Sequence, residues 1–252
     1  MSVERKERTQ FGDLTAAPDK RRKVAVVLVE AQDPRNIGAV ARAMSNMAEE
    51  DLRLVHPGKF NLEVARGVAC WGASVIDSAR TYTSLREAAA DTQEVVGFAS
   101  DSGNHRVPQL LLHDWVKELL ASPSRSIALV FGSEETGLRR EHFPLCQYLV
   151  RIPSSGANRS YNLAQAVLLT LYELHRYSNN LIGGNAPDFP TSGQLDQLTT
   201  MVLRVATQAG FLNENSHEGI TDLLVNVTRR GKLSARELKI LTGLFGQISK
   251  RL

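Results

Sequence analysis

Residues 24–29 read VAVVLV, an unbroken apolar run dominated by β-branched valine. A strand with one wet face alternates apolar and polar residues. A strand apolar on both faces must be covered on both, as in the middle of a parallel sheet sandwiched by helices. That one requirement removes all-helical bundles and open antiparallel sheets. The residues after it supply the covering layers. NIGAVARAMSNM (36–47) places Ile37, Val40, Ala41 and Met44 on one helical face.

The alternation then repeats. LRLV (52–55) reads as a strand, EVARGVACWG (63–72) as a helix and SVID (74–77) as a short strand. SLREAAAD has Ser84 and Glu87 in capping-box spacing, which starts a helix. EVVGFA (94–99) is a strand, LLLHDWVKELLA (110–121) an amphipathic helix, and SIALVFG (126–132) and QYLVRIP (147–153) are strands. Next comes NRSYNLAQAVLLTLYEL (158–174), a buried helix that opens on a cluster of hydrogen-bonding side chains. Strands alternating with helices predict an α/β fold with a mainly parallel sheet.

Composition divides the chain. Residues 1–22 are polar, aperiodic and basic, and read as a mobile tail. Residues 23–178 carry the α/β pattern. Residues 179–193 are rich in Gly, Pro, Asn and Ser and read as a linker. Residues 194–252 form a small helical extension with helices expected at 194–209, 219–228 and 234–250, the last opened by a Ser234/Glu237 capping box. No apolar run approaches the roughly 20 residues of a membrane span. No secretory leader is visible. Cys70 and Cys146 stand alone, without metal-site or disulfide spacing, so no metal is expected and a cytoplasmic setting fits. Net charge is only +3, but KRRK (20–23) and RRGK (229–232) concentrate positive charge. Such clusters serve either as solvated faces or as contacts for a polyanion such as RNA.

Ligands of open parallel sheets bind beyond the carboxyl ends of the strands. Three loops there are unusually polar: EAQDPRNIGAVAR (30–42), FGSEETGL (131–138) and IPSSGANRSYN (152–162). GxGxxG after the first strand, a P-loop, a GxSxG elbow and HExxH are all missing. Each loop alone has a plain structural explanation, as turn glycines or helix caps.

Together, and in this order, they resemble the three motifs of the SpoU-type RNA 2′-O-ribose methyltransferases of the SPOUT superfamily. PRNIGAVARAM (34–44) is similar to the first motif, ALVFGSEETGL (128–138) to the second and VRIP…SYNLAQAVLLTLYEL (150–174) to the third. RRGKLSARELKILTGLFGQI (229–248) resembles, more loosely, the C-terminal extension of the TrmJ subfamily. The chain departs from the family pattern at Arg35, at Ala48-Glu49-Glu50 and at Glu135.

The resemblance implies a sheet whose C-terminal part forms a deep trefoil knot, S-adenosyl-L-methionine as cofactor, and a homodimer. Its substrate would be RNA, most simply tRNA at nucleotide 32 of the anticodon loop. Ribosomal RNA, another tRNA position, and non-catalytic RNA binding remain alternatives. By the same resemblance Arg42, Asn36, Glu134, Ser160 and Asn162 are the catalytic set. Arg42 would lie near the 2′-hydroxyl, and Asn36 and Glu134 would orient it or the ribose. Val130, Phe131, Gly132, Gly137, Ile152, Pro153, Ser160, Asn162 and Leu163 would hold the cofactor. Arg35, Arg159, Arg229, Arg230 and Lys232 are candidate RNA contacts.

Overall fold

The computed structural model describes residues 22–58, 61–100, 107–121, 126–155, 160–178, 189–212 and 217–252. The chain begins with β1 (Lys23–Val29), α1 (Pro34–Asn46), β2 (Asp51–Val55), α2 (Leu62–Ala69), α3 (Ala73–Asp77), β3 (Arg80–Tyr82) and α4 (Leu85–Ala88). It continues with β4 (Glu94–Phe98), β5 (Gln109–Leu111), α5 (Leu112–Ala121), β6 (Ser126–Phe131), β7 (Tyr148–Arg151) and α6 (Leu163–Ser178). The extension is α7 (Ser192–Gln208), α8 (His217–Arg230) and α9 (Ala235–Ser249).

The strands form one seven-stranded sheet in the order β3-β2-β1-β6-β4-β7-β5, and every pairing is parallel. The doubly apolar β1 sits between β2 and β6, with Val24–Val29 buried throughout. Because successive side chains alternate faces, Val26 and Leu28 enter one core with residues of α1, α2, α3, α5 and α6. Val27 and Val29 enter the other, beneath α4 and the 3₁₀ segment Arg140–Leu145.

Three local expectations change. SVID (74–77) is helix, not strand: Val75 and Ile76 turn inward beside Ala69, and the strand follows at Arg80–Tyr82. Leu110 and Leu111 leave the expected helix to pair with β7 as the edge strand β5, a tertiary choice that helical periodicity does not report. The Ser84 cap is half a capping box. Ser84 Oγ accepts from the Glu87 amide, but the Glu87 carboxylate turns to the Thr83 amide at 3.0 Å and hydroxyl at 2.8 Å. The Ser234/Glu237 box is complete. The segment expected to knot runs from β6 to α6, and residues 156–159 of it lie outside the described residues, as does most of the expected linker.

The extension docks at the amino ends of the strands. Thr191 and Gln194 form the capping box of α7. The amides of Ser192 and Gly193 donate to the carbonyls of Thr92 (2.6 Å) and Ala90 (2.9 Å), and Gln93 donates to the Phe189 carbonyl at 2.7 Å. Arg229 is the main fastener. It is 4% exposed, and donates to the Leu145 carbonyl at 3.0 Å and to Asp196 at 2.7 Å. This corrects the expectation that Arg229 contacts RNA: its charge is spent inside the fold. Replacing Arg229 by Ala would leave Asp196 to its second partner, Arg86 at 2.6 Å, and the Leu145 carbonyl without its donor, and should cost about 1–3 kcal/mol of stability, read by urea unfolding. The salt dependence of RNA binding should not move.

Candidate active site

A cavity of about 320 Å³ opens beyond the carboxyl ends of β4, β6 and β7. Its floor is apolar, with Phe98, Phe131, Val150, Ile152 and Leu163. Phe98 and Phe131 stack with ring centres 4.4 Å apart. Its rim is polar: Ser100, Ser133, Glu134, Glu135, Thr136, Ser160 and Tyr161. A smaller cavity of about 140 Å³ lies at the opposite end of the sheet, against the extension, lined by Tyr148, Phe189, Arg230 and Lys232 among others. The second and third polar loops line the larger one, and the first reaches its rim through a bond from Asn36 to Glu134.

The second loop is a tight turn. The Gly137 amide donates to the Ser133 carbonyl at 2.9 Å, and the Ser133 and Thr136 hydroxyls lie 2.8 Å apart. Gly137 has φ +65°, where a side chain is strained. At Gly132 the constraint is space. A Cβ there would stand 2.0 Å from the carbonyl carbon of Gly137 and 2.1 Å from the Leu138 nitrogen. The backbone on either side of Gly132 can therefore come within van der Waals contact of the turn.

The first and third loops join at the ends of two helices. Asp33 caps α1, accepting from the Arg35 amide at 2.8 Å, and Pro34 occupies the position where a missing N–H is harmless. The Arg35 guanidinium folds back onto Asp33 at 3.1 Å and holds that carboxyl below the usual carboxylate range. Asn162 caps α6: its Oδ1 accepts from the Ala164 amide at 2.9 Å. The Asn162 Nδ2 donates to Asn36 Oδ1 at 2.9 Å, and Asn36 Nδ2 donates to Glu134 Oε1 at 2.9 Å. One hydrogen-bonded chain thus runs through all three loops, across 126 residues of sequence between Asn36 and Asn162. Tyr161 adds a brace, its hydroxyl donating to the Pro153 carbonyl at 2.6 Å.

Most of the expected site assembles here. Phe131, Gly132, Gly137, Ile152, Ser160 and Leu163 line the cavity, and Asn36, Glu134 and Asn162 are bonded at its edge. Others do not face it. The Val130 side chain is buried in the opposite core. Pro153 is exposed and takes part through its carbonyl. Arg42 is exposed on α1 and is not among the residues lining the cavity. Arg159 lies outside the described residues. Arg230 is exposed, and Lys232 stands 5.8 Å over the Tyr148 ring, its ammonium pKa raised by a hydrogen bond to that phenol. Phe98, Ala99 and Ser100 were not anticipated. They lie at the carboxyl end of β4, whose place beside β6 and β7 no local pattern announces.

The cavity suits S-adenosylmethionine. Its volume lies near the lower end of the roughly 300–1,000 Å³ typical of cofactor sites. The apolar floor can cover part of an adenine ring, and the turn at Gly132–Gly137 offers backbone groups for polar atoms. The acids at its rim, Glu134 and Glu135, suit a positively charged sulfonium better than a phosphate-bearing cofactor.

Residues 23–172 match the SpoU rRNA Methylase family. A Haemophilus influenzae tRNA/rRNA methyltransferase is 30% identical over 235 residues, covering 91% of this chain and 95% of that protein. The tRNA (cytidine/uridine-2′-O-)-methyltransferase TrmJ of Yersinia pestis is 30% identical over 236 residues, covering 90% and 92%. The crystal structure of TrmJ from Z. mobilis ZM4 superposes with a TM-score of 0.77 at 25% identity, over 89% of this chain and 98% of that one.

Proposed function

The chain belongs to the SpoU methylase family, and from that premise we propose that it methylates a ribose 2′-hydroxyl of tRNA, at nucleotide 32 of the anticodon loop. S-Adenosylmethionine supplies the methyl group from its sulfonium. The observation that carries the reading is the hydrogen-bonded chain Asn162–Asn36–Glu134 at the rim of the cavity. It fixes three loops from distant parts of the sequence in one arrangement, and methyl transfer depends on alignment. Alignment can supply about 7–11 kcal/mol of a barrier in favourable cases.

The residues divide the work. Gly132 and the turn to Gly137 shape the cavity wall. Phe98 and Phe131 give it a dry floor. Asn36, held from both sides, keeps Glu134 and Asn162 at fixed positions near the incoming ribose. Bound there, the cofactor would give its methyl group to the ribose oxygen and leave as a neutral thioether, and the hydroxyl proton would pass to solvent. Arg42 stabilises the charge that develops on the oxygen. It does so as a cation rather than as a base, since its pKa lies above about 12.

A homodimer fits the same reading. On α6, Gln165, Leu168, Leu169, Tyr172 and Arg176 are exposed at helical spacing, while Leu163, Val167, Leu171 and Leu174 are buried against the sheet. Leu168 and Leu169 are 37% exposed and Tyr172 53%. A second copy covering this stripe would bury an apolar face and bring its own Arg42 near the cavity.

The test is to incubate the protein with labelled S-adenosylmethionine and unmodified tRNA transcripts, then map the modified nucleotide. A 2′-O-methyl group at nucleotide 32 is the expected result. Because the matching family model is described as an rRNA methylase, ribosomal RNA is the second substrate to offer. Label in rRNA alone would move the substrate assignment and leave the chemistry. No cofactor binding at all would overturn the proposal.

A further inference from the structure

Two tryptophans occur in the chain and their settings are opposite. Trp115 is fully buried, and its indole N–H donates to Glu94. Trp71 is 93% exposed. Leaving an indole in water forgoes the stabilisation available from burying a large apolar side chain, so its placement calls for a reason.

The turn that carries it is rigid. Cys70 ends α2 with φ +51° and ψ −114°, a strained conformation for a non-glycine residue. Gly72 is pressed onto α1 so closely that a Cβ there would meet the Ala41 carbonyl oxygen at 2.6 Å and the Arg42 Cα at 3.0 Å. The backbone bearing Trp71 is therefore locked to the one helical turn that bears Arg42. Of the nearby cations, Arg66 is paired with Asp77. Arg42 has no ion-pair or hydrogen-bond partner among the described residues. An exposed ring carried on backbone packed against the helical turn that bears an unpaired guanidinium suits a nucleotide, whose base offers a face for stacking and whose backbone carries negative charge. The exposed stripe on α6 differs. It is continuous and partly covered, as suits a protein partner.

We propose that Trp71 is a stacking platform for a nucleobase of the RNA substrate, held next to Arg42 so that the stacked base sets the position of the reacting ribose. The proposal rests on the methyl-transfer reading above. Trp71 thereby acts as a positioning and specificity residue rather than as part of the chemistry.

Fluorescence can test it, because Trp115 is a buried internal reference. At saturating, constant S-adenosylmethionine, an unmodified tRNA transcript should shield the exposed indole from acrylamide. The shielding should follow RNA concentration at fixed protein concentration. Trp71→Ala should raise KM for tRNA about tenfold, as loss of one stacked base would. The kcat should fall too as the ribose loses its position, cofactor affinity should stay close to wild type, and Trp71→Phe should keep most of both kcat and KM. Shielding that grows with protein concentration and ignores RNA would assign the ring to an interface between copies and overturn the proposal. So would an unchanged KM in an active Trp71→Ala enzyme, with the methyl-transfer reading left standing. A wild-type protein that methylates no RNA takes down that reading and this proposal together.

Discussion

Gly132→Ala is expected to remove cofactor binding while leaving the sheet folded. The added methyl would stand 2.0–2.1 Å from the backbone of Gly137 and Leu138. Backbone cannot swing away as a long side chain can, so the turn must open. Overpacking of this kind typically costs about 1–3 kcal/mol, and this contact is closer than most. Because the strain falls on the wall of the cavity, the affinity for S-adenosylmethionine should drop by about two orders of magnitude or more. Gly137→Ala is the control from the same turn. It has open space around it but a φ of +65°, and a left-handed alanine costs about 1–2 kcal/mol. Its affinity should fall about thirtyfold at most. Calorimetric titration with the cofactor checks both. Equal losses at the two glycines would mean that conformation rather than close approach governs the turn.

The contrast between these glycines marks what could be read from the sequence. FGSEETG announces a turn, and its glycines announce special backbone. Which glycine is needed for φ and which for space depends on a loop folding back on itself, and only coordinates show that. The same division runs through the fold. VAVVLV signals a central parallel strand because double-sided burial leaves a mark in composition. The order β3-β2-β1-β6-β4-β7-β5 leaves none, since it is set by crossovers between distant segments. Leu110 and Leu111 have no local signal that favours strand over helix. They are strand because β7 presents a free edge. Asn36, Glu134 and Asn162 were recognisable through family resemblance, while the bonds that join them were not. RRGK was legible as charge, but charge does not report direction. Arg229 points inward to Asp196 and Leu145, whereas Arg230 is exposed.

Arg42→Ala should abolish methyl transfer and leave cofactor binding intact. The side chain is exposed on α1 and outside the cavity, so its removal disturbs neither the core nor the Gly132 turn. Loss of one charged group that stabilises a developing oxyanion typically lowers kcat by about 10²–10³. Arg42→Lys keeps the charge but not the planar fork, and should recover only part of that loss. The geometry adds a sharper test. If each active site combines the cavity of one copy with Arg42 of the other, Arg42→Ala and Gly132→Ala should rescue each other when mixed. Exchange of subunits would give a heterodimer with one site carrying both defects and one carrying neither. With random pairing, about a quarter of wild-type activity should return, since half the dimers are mixed and each has one working site. If Arg42 serves the cavity of its own chain, every site in the mixture carries a defect and no activity returns. Recovery in the mixture would therefore place the catalytic arginine across the interface and require the exposed stripe of α6 to be covered by a second copy. Full activity of Arg42→Ala alone would remove Arg42 from the mechanism, and the charge on the ribose oxygen would then need another donor at the rim.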